Sequence, residues 1–192
     1  MRKYFFLCAL FLFGIQTNAT VDNDNFVKIE EQAPHVDEVT TAKLKSSFKV
    51  SKDDFSDKAW VHHKNDPKNR WRNAIYMYFQ LENGNPTNPR LVIQYVGRDW
   101  LFINQYTINI DGKNYDFKPS ELERDHNELE IWEWCDETLL DNEKLIKAIA
   151  EGTKIKIRYH GQQYYDDITI ADKYVKAIKD AYEYYKALGG TF

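Results

Sequence analysis

The chain has 192 residues, with 26 Lys and Arg against 30 Asp and Glu, two Cys, and a hydrophobic content of 43%. The acidic balance argues against a general nucleic-acid binder, whose affinity rests on neutralising phosphates, and against adhesion to anionic lipid. Nothing beyond residue 15 approaches the roughly 18 consecutive apolar residues of a membrane-spanning helix.

Arg2 and Lys3 are followed by an apolar run of about 12 residues ending at Ile15, and then by Thr17-Asn18-Ala19; this order is that of a secretory signal peptide over residues 1–19. Its removal leaves 173 residues carrying 24 basic and 30 acidic side chains, a net charge of −6. Cys8 lies within the signal, early in the apolar run and after Phe5-Phe6-Leu7, so lipidation there is not expected. Cys135 is then the only thiol of the exported part. No internal disulfide is available, and stability must come from an ordinary core. A chain of this size can build one, burying roughly 70% of the surface it exposes when unfolded. The expected location is the periplasm or the exterior of the cell.

Residues 20–43 are polar and acidic, above all up to Glu38, and are expected to form a leader or tether. The β-rich domain is expected over 44–192. Leu44–Val50 alternates weakly as a first strand, and a polar, turn-rich stretch including His62-His63 and Asp66-Pro67 follows. Ala74–Leu81 places Ile75, Met77, Phe79 and Leu81 on one face and Tyr76, Tyr78 and Gln80 on the other, the period-2 pattern of a half-buried strand. Residues 82–89 are loop-like by composition. Arg90–Val96 is the next strand, closed by Gly97-Arg98-Asp99. Trp100–Ile110 is read as a strand paired to Lys113–Phe117 through Asp111-Gly112, a dipeptide that favours a type I′ turn.

Leu129–Cys135 reads as a strand with Trp132 and Trp134 on one face and Glu133 on the other. Asp141 and Gly152 bracket a short amphipathic helix carrying Leu145, Ile146 and Ile149. Lys154–His160 alternates cleanly and turns at Gly161 into Gln163–Thr169. The C-terminal helix is expected to start at a Thr169 cap, to bury Val175, Ile178, Tyr182, Tyr185 and Leu188, and to stop at Gly189-Gly190. Short connections between consecutive strands imply antiparallel pairing. The fold class is therefore mainly β (α+β): an antiparallel sandwich or partly open barrel, with a short helix and a C-terminal helix packed on it.

Four stretches, Tyr95-Val96-Gly97-Arg98-Asp99-Trp100-Leu101-Phe102-Ile103, Ile131-Trp132-Glu133-Trp134, Arg158–Asp167 and Ala187-Leu188-Gly189-Gly190, carry a resemblance. In this order they resemble a group of uncharacterised exported bacterial proteins, over roughly Trp71 to Gly190. The resemblance implies a β-rich exported domain and carries no mechanism.

The exported part holds all five Trp and 12 of the 13 Tyr. Exposed aromatic rings on an exported sandwich can stack on the C–H face of a sugar ring, and buried ones fill the core. Trp100 is read as core. Trp132 and Trp134 suit either core packing or a platform. Asp166 and Asp167 point to opposite faces of a strand, and a cross-strand pair with Arg158 is the ordinary reading. The scattered histidines have no zinc spacing, and no calcium loop, serine-hydrolase elbow or nucleotide loop occurs. No cofactor or metal is expected. Cys135 reads as a small buried residue, and Tyr174 and Tyr184 fall outside the expected helix stripe.

The leading functional reading is a non-catalytic domain binding a ligand or partner at the cell envelope, a glycan or a protein. Its candidate surface comprises Arg98, Asp99, Trp132, Trp134, Tyr164, Tyr165 and Asp167. The rings would stack, while Arg98 and the carboxylates would orient polar groups. One alternative is a small hydrolase of envelope polysaccharide or peptide, using Glu133 or Asp166 as acid/base. Another is a structural or inhibitor protein that binds a second protein through loops 82–89 and 161–167.

Overall fold

The computed structural model describes residues 36–192, and the expected signal peptide and most of the leader lie outside them. The described chain runs α1 (Glu38–Lys45), β1 (Phe48–Lys52), β2 (Lys58–His63), β3 (Ala74–Glu82), β4 (Asn85–Gly97), β5 (Gln105–Ile110), β6 (Lys113–Phe117), β7 (Glu123–His126), β8 (Ile131–Thr138), α2 (Glu143–Glu151), β9 (Ile155–His160), β10 (Tyr165–Thr169) and α3 (Asp172–Ala187). All pairing is antiparallel. One sheet has the order β1-β2-β3-β4-β8-β7 and the other β10-β9-β5-β6. Neither closes on itself, so the fold is an open β-sandwich rather than a barrel.

Side-chain alternation decides which faces meet. Leu91, Ile93 and Tyr95 on β4, with Glu133 and Cys135 on β8, face Tyr106 and Ile108 on β5 and Ile157 and Tyr159 on β9. Tyr95 packs on Tyr159 with ring centroids 5.1 Å apart. The same sheet continues sideways through β3, β2 and β1, where α3 takes over as its cover. Phe79 meets Tyr185 edge-on at 5.2 Å and Phe48 stacks on Tyr184 at 4.5 Å. The large sheet thus has one face covered half by the small sheet and half by a helix. Two aromatic pairings of this kind contribute about 0.5–1.5 kcal/mol each beyond the area they bury.

The Asp111-Gly112 hairpin forms as expected, with Ile110 opposite Lys113 and both turn residues at positive φ (49° and 95°). Several elements differ from the sequence expectation. Residues 38–43, expected in the leader, form most of α1, capped by the Asp37 carboxylate accepting from Thr40 N at 3.0 Å and anchored by buried Leu44. Residues 82–89 are not a loop. Asn83-Gly84 is a second two-residue turn with φ 52° and 83°, and β4 already starts at Asn85. Pro86 and Pro89 are tolerated because β8 pairs with β4 only from Arg90 onward, and Pro89 falls at the register shift between Tyr78 and Gln80.

β2 and β7 carry too little apolar patterning to be legible. In β2 a buried position is held by His63, whose Nε2 lies 3.3 Å from an Asp180 oxygen on α3. β7 is four exposed polar residues. The strand expected at Leu129 starts at Ile131, and exposed Leu129 lies outside it. α2 is entered through Asn142 rather than Asp141, and α3 through Ala171, because Thr169 belongs to β10. Tyr174 and Tyr184, expected off the buried stripe, are buried. Ala177 and Ala181 bring the helix close enough to widen the covered face.

Candidate functional site

The expected strand Trp100–Ile110 starts only at Gln105, and the five residues before it form a loop. The cause is Glu133. It sits on the inner face of β8, opposite Tyr95, with no solvent exposure. Such a carboxylate must find partners inside the protein. Its Oε1 accepts from Leu101 N at 2.8 Å and Phe102 N at 3.0 Å. Its Oε2 accepts from Ile103 N at 2.8 Å and from Arg124 Nε at 3.0 Å. Arg124 donates in turn to the Ile103 carbonyl at 2.9 Å. Three consecutive backbone N–H groups converging on one carboxylate curl the chain out of extended geometry, and Phe102 takes φ +54°. That conformation is unfavourable for a bulky L residue and persists only where its surroundings impose it.

This turn lifts the Phe102 ring into solvent beside half-buried Trp100. Phe102 is 44% exposed and stacks on Trp100 at 6.0 Å, while His126 meets Trp100 edge-on at 6.0 Å. The Arg124 guanidinium lies 5.8 Å from the centre of the Phe102 ring. On the other side the β9–β10 hairpin is tied to the same loop. Gln162 N donates to the Leu101 carbonyl at 3.0 Å and Asn104 N to the His160 carbonyl at 2.9 Å. Gly161 is required there, because a Cβ would fall 2.2 Å from the Leu101 oxygen. Between loop and hairpin lies a cleft of about 150 Å³ lined by Trp100, Leu101, Phe102, Gln162, Gln163 and Tyr164. Tyr164 is 73% exposed.

The seven sequence-derived site residues do not form one surface. Arg98 and Asp99 are exposed at the start of the strained loop, and Tyr164 stands across the cleft from it. Trp132 and Trp134 share a face as expected, but it is the outer face of the large sheet. Trp132 is only 7% exposed and offers no stacking platform. Half-buried Trp134 donates to Glu123 at 3.0 Å and is covered by Arg70, 4.8 Å from its ring. Tyr165 and Asp167 lie on the outer face of the small sheet, where Arg158 grips Asp167 through two 2.7 Å bonds and sits 4.1 Å from the Tyr165 ring. The guanidinium holds the Asp167 carboxyl below its usual range. The cross-strand pairing expected for this aspartate is thus present.

The carboxylates named for a hydrolase do not converge. Glu133 is saturated by backbone and Arg124. Asp166 turns inward and accepts from Tyr95 Oη at 3.1 Å. Asp136 is on the outer face of the large sheet, bonded to Arg90 Nε at 2.7 Å and Tyr78 Oη at 2.5 Å. Burial pushes the Cys135 thiol up to about 12, which keeps it a neutral core group. Among the described residues no group of three or more His, Cys, Asp or Glu could hold a metal ion, and no helix is long and apolar enough to cross a membrane.

Sequence reasoning missed Phe102, Arg124 and His126; it named Gln162 and Gln163 only within loop 161–167 of the protein-binding alternative, and it assigned Trp100 to the core, against which the half-buried ring does pack. Gly161 was the available signal for the close approach of loop and hairpin. The pull of Glu133 on a loop 30 residues away had none. In class the described part is an open antiparallel β-sandwich flanked by helices, with an aromatic loop tied to Glu133 at one end. No family model, curated protein or solved structure matches the chain.

Proposed function

We propose that this is a non-catalytic exported domain that binds a glycan of the cell envelope through the cleft between residues 100–104 and 161–164. The observation that carries the reading is the Glu133 clamp. A fully buried carboxylate holds a strained turn that sets an exposed Phe102 ring against half-buried Trp100, an arrangement that core packing alone does not need. Strain of this sort gathers at recognition sites, where it fixes a group in its binding position beforehand and lowers the ordering cost of association.

The chemistry of the cleft suits a sugar ring. Trp100, Phe102 and Tyr164 offer flat apolar faces for its C–H groups, and the Gln162 and Gln163 amides offer donors and acceptors for its hydroxyls. Arg98 and Asp99 border the site with one charge of each sign. Export is supported by the apolar run and the Thr17-Asn18-Ala19 end, and with it a location in the periplasm or outside the cell is proposed. A hydrolase reading is less well supported, since the carboxylates named for it are engaged in the fold. The protein-binding reading loses one of its two loops, because residues 85–89 are strand.

Calorimetric titration with peptidoglycan glycan fragments tests the proposal. Trp100→Ala and Tyr164→Ala should each weaken binding at least about tenfold, equivalent to 1.4 kcal/mol, with the melting temperature little changed for exposed Tyr164. Unchanged affinity in both folded variants would rule the cleft out.

A further inference from the structure

The β9–β10 hairpin that forms one wall of the cleft carries a second feature on its outer face. There the small sheet presents Lys156, Arg158 and His160 from β9, Thr107 and Asn109 from β5, Asn114 and Asp116 from β6, and Asp167 and Thr169 from β10. Together they line an open trough of about 570 Å³. None of these outward side chains is a large apolar group, so the trough lacks the apolar centre of a protein-docking surface. It is made of hydrogen-bonding groups.

These groups are ordered before any ligand arrives. Thr107 Oγ1 donates its only proton to Asp116 at 2.7 Å and therefore accepts from His160 Nε2 at 2.9 Å. That chain fixes the imidazole as its Nε2–H form and leaves Nδ1 as an acceptor when the ring is neutral. Asn109 donates to Asn114 at 2.5 Å and accepts from Gly112 N at 3.1 Å. Arg158 and Asp167 form their two-bond pair, and Tyr165, two residues before Asp167 on the same face, is 60% exposed beneath the guanidinium. Every member retains further donor or acceptor capacity; Arg158, for example, uses two of its five N–H groups.

The charges decide the ligand class. Lys156 and Arg158 are balanced by Asp116 and Asp167, so no net field favours phosphate, sulfate or uronate on one hand, or a polycation on the other. A flat row of fixed, mixed donors and acceptors beside an exposed Tyr ring matches an uncharged chain of hydroxyls. We propose that the outer face of the small sheet binds the continuation of a neutral polysaccharide chain whose first ring occupies the loop-end cleft. This rests on the glycan reading of that cleft and extends it from one ring to a chain.

The test is calorimetric titration of the protein with chitobiose, chitohexaose and hexagalacturonate, in wild type and in the Tyr165→Ala, Asn109→Ala and Trp100→Ala variants. The hexamer should bind at least tenfold more tightly than the dimer. Tyr165→Ala and Asn109→Ala should remove that gain while sparing the dimer, and Trp100→Ala should weaken both. Equal affinity for dimer and hexamer, or a gain that survives both trough variants, overturns the trough and leaves the cleft standing. Tighter binding of hexagalacturonate overturns the neutral-ligand assignment. Failure of every oligomer to bind overturns the trough, and the cleft then stands or falls on its own titration with peptidoglycan glycan fragments.

Discussion

Glu133 does the work of several residues. A carboxylate with no exposure is costly unless each of its lone pairs is used, and here three backbone N–H groups and one guanidinium use them. Removing it leaves three loop N–H groups without an acceptor, while Arg124, about one-third exposed, keeps its bond to the Ile103 carbonyl. Glu133→Ala is expected to lower stability by about 3 kcal/mol or more, since three loop N–H groups lose their acceptor at about 1–3 kcal/mol each. Urea denaturation measures this, and a loss below about 1 kcal/mol would mean that the loop holds its shape without the clamp. Cys135, two residues on and on the same face, is inert by the same burial. Its thiol, pushed up to about 12, should resist maleimide at pH 8 in the native protein and react within minutes in denaturant. Rapid labelling of the native state would show that the core between the two sheets opens readily.

The loop and the hairpin are one unit at the scale of elements, joined through the Leu101 carbonyl. Gly161→Ala tests that junction. The added methyl would meet the carbonyl at 2.2 Å, so loop and hairpin must separate, at a cost of about 1–3 kcal/mol. Thermal unfolding should show the loss, and glycan affinity should fall with it because Tyr164 moves away from Trp100. A variant as stable as wild type would mean that the two segments are not coupled. This scale also shows what the sequence could reveal. Strands with clean alternation, β3 and β9, and the Asp111-Gly112 turn were legible because period and turn chemistry are local. Residues 100–104 were not, since their apolar spacing is that of a strand and only a distant carboxylate bends them. β2 was hidden by a histidine at a buried position, and the start of β4, before the strand read at Arg90–Val96, by prolines whose tolerance depends on which neighbour pairs where. The site was legible in part for the same reason: Arg98, Asp99 and Tyr164 were found beside turns, whereas Phe102 and Arg124 matter only through Glu133.

Across the whole molecule, the large sheet gives half of one face to α3 and the other half to the small sheet. The helical half contributes the aromatic core around Phe79, Tyr184 and Tyr185, and the small sheet carries the proposed glycan-binding surfaces at its end and on its outer face. The most direct measurement of the binding claim is a two-dimensional ¹H–¹⁵N NMR titration of the protein with peptidoglycan glycan fragments. The five Trp indole N–H groups and the Gln162 and Gln163 side-chain amides serve as reporters. The Trp100 indole and both amides should shift in a saturable way, while the Trp132 indole, buried on the outer face of the large sheet, stays in place. Saturable shifts that leave Trp100 untouched, or a spectrum unchanged at millimolar fragment, would contradict the assignment of this loop end as a glycan-binding site.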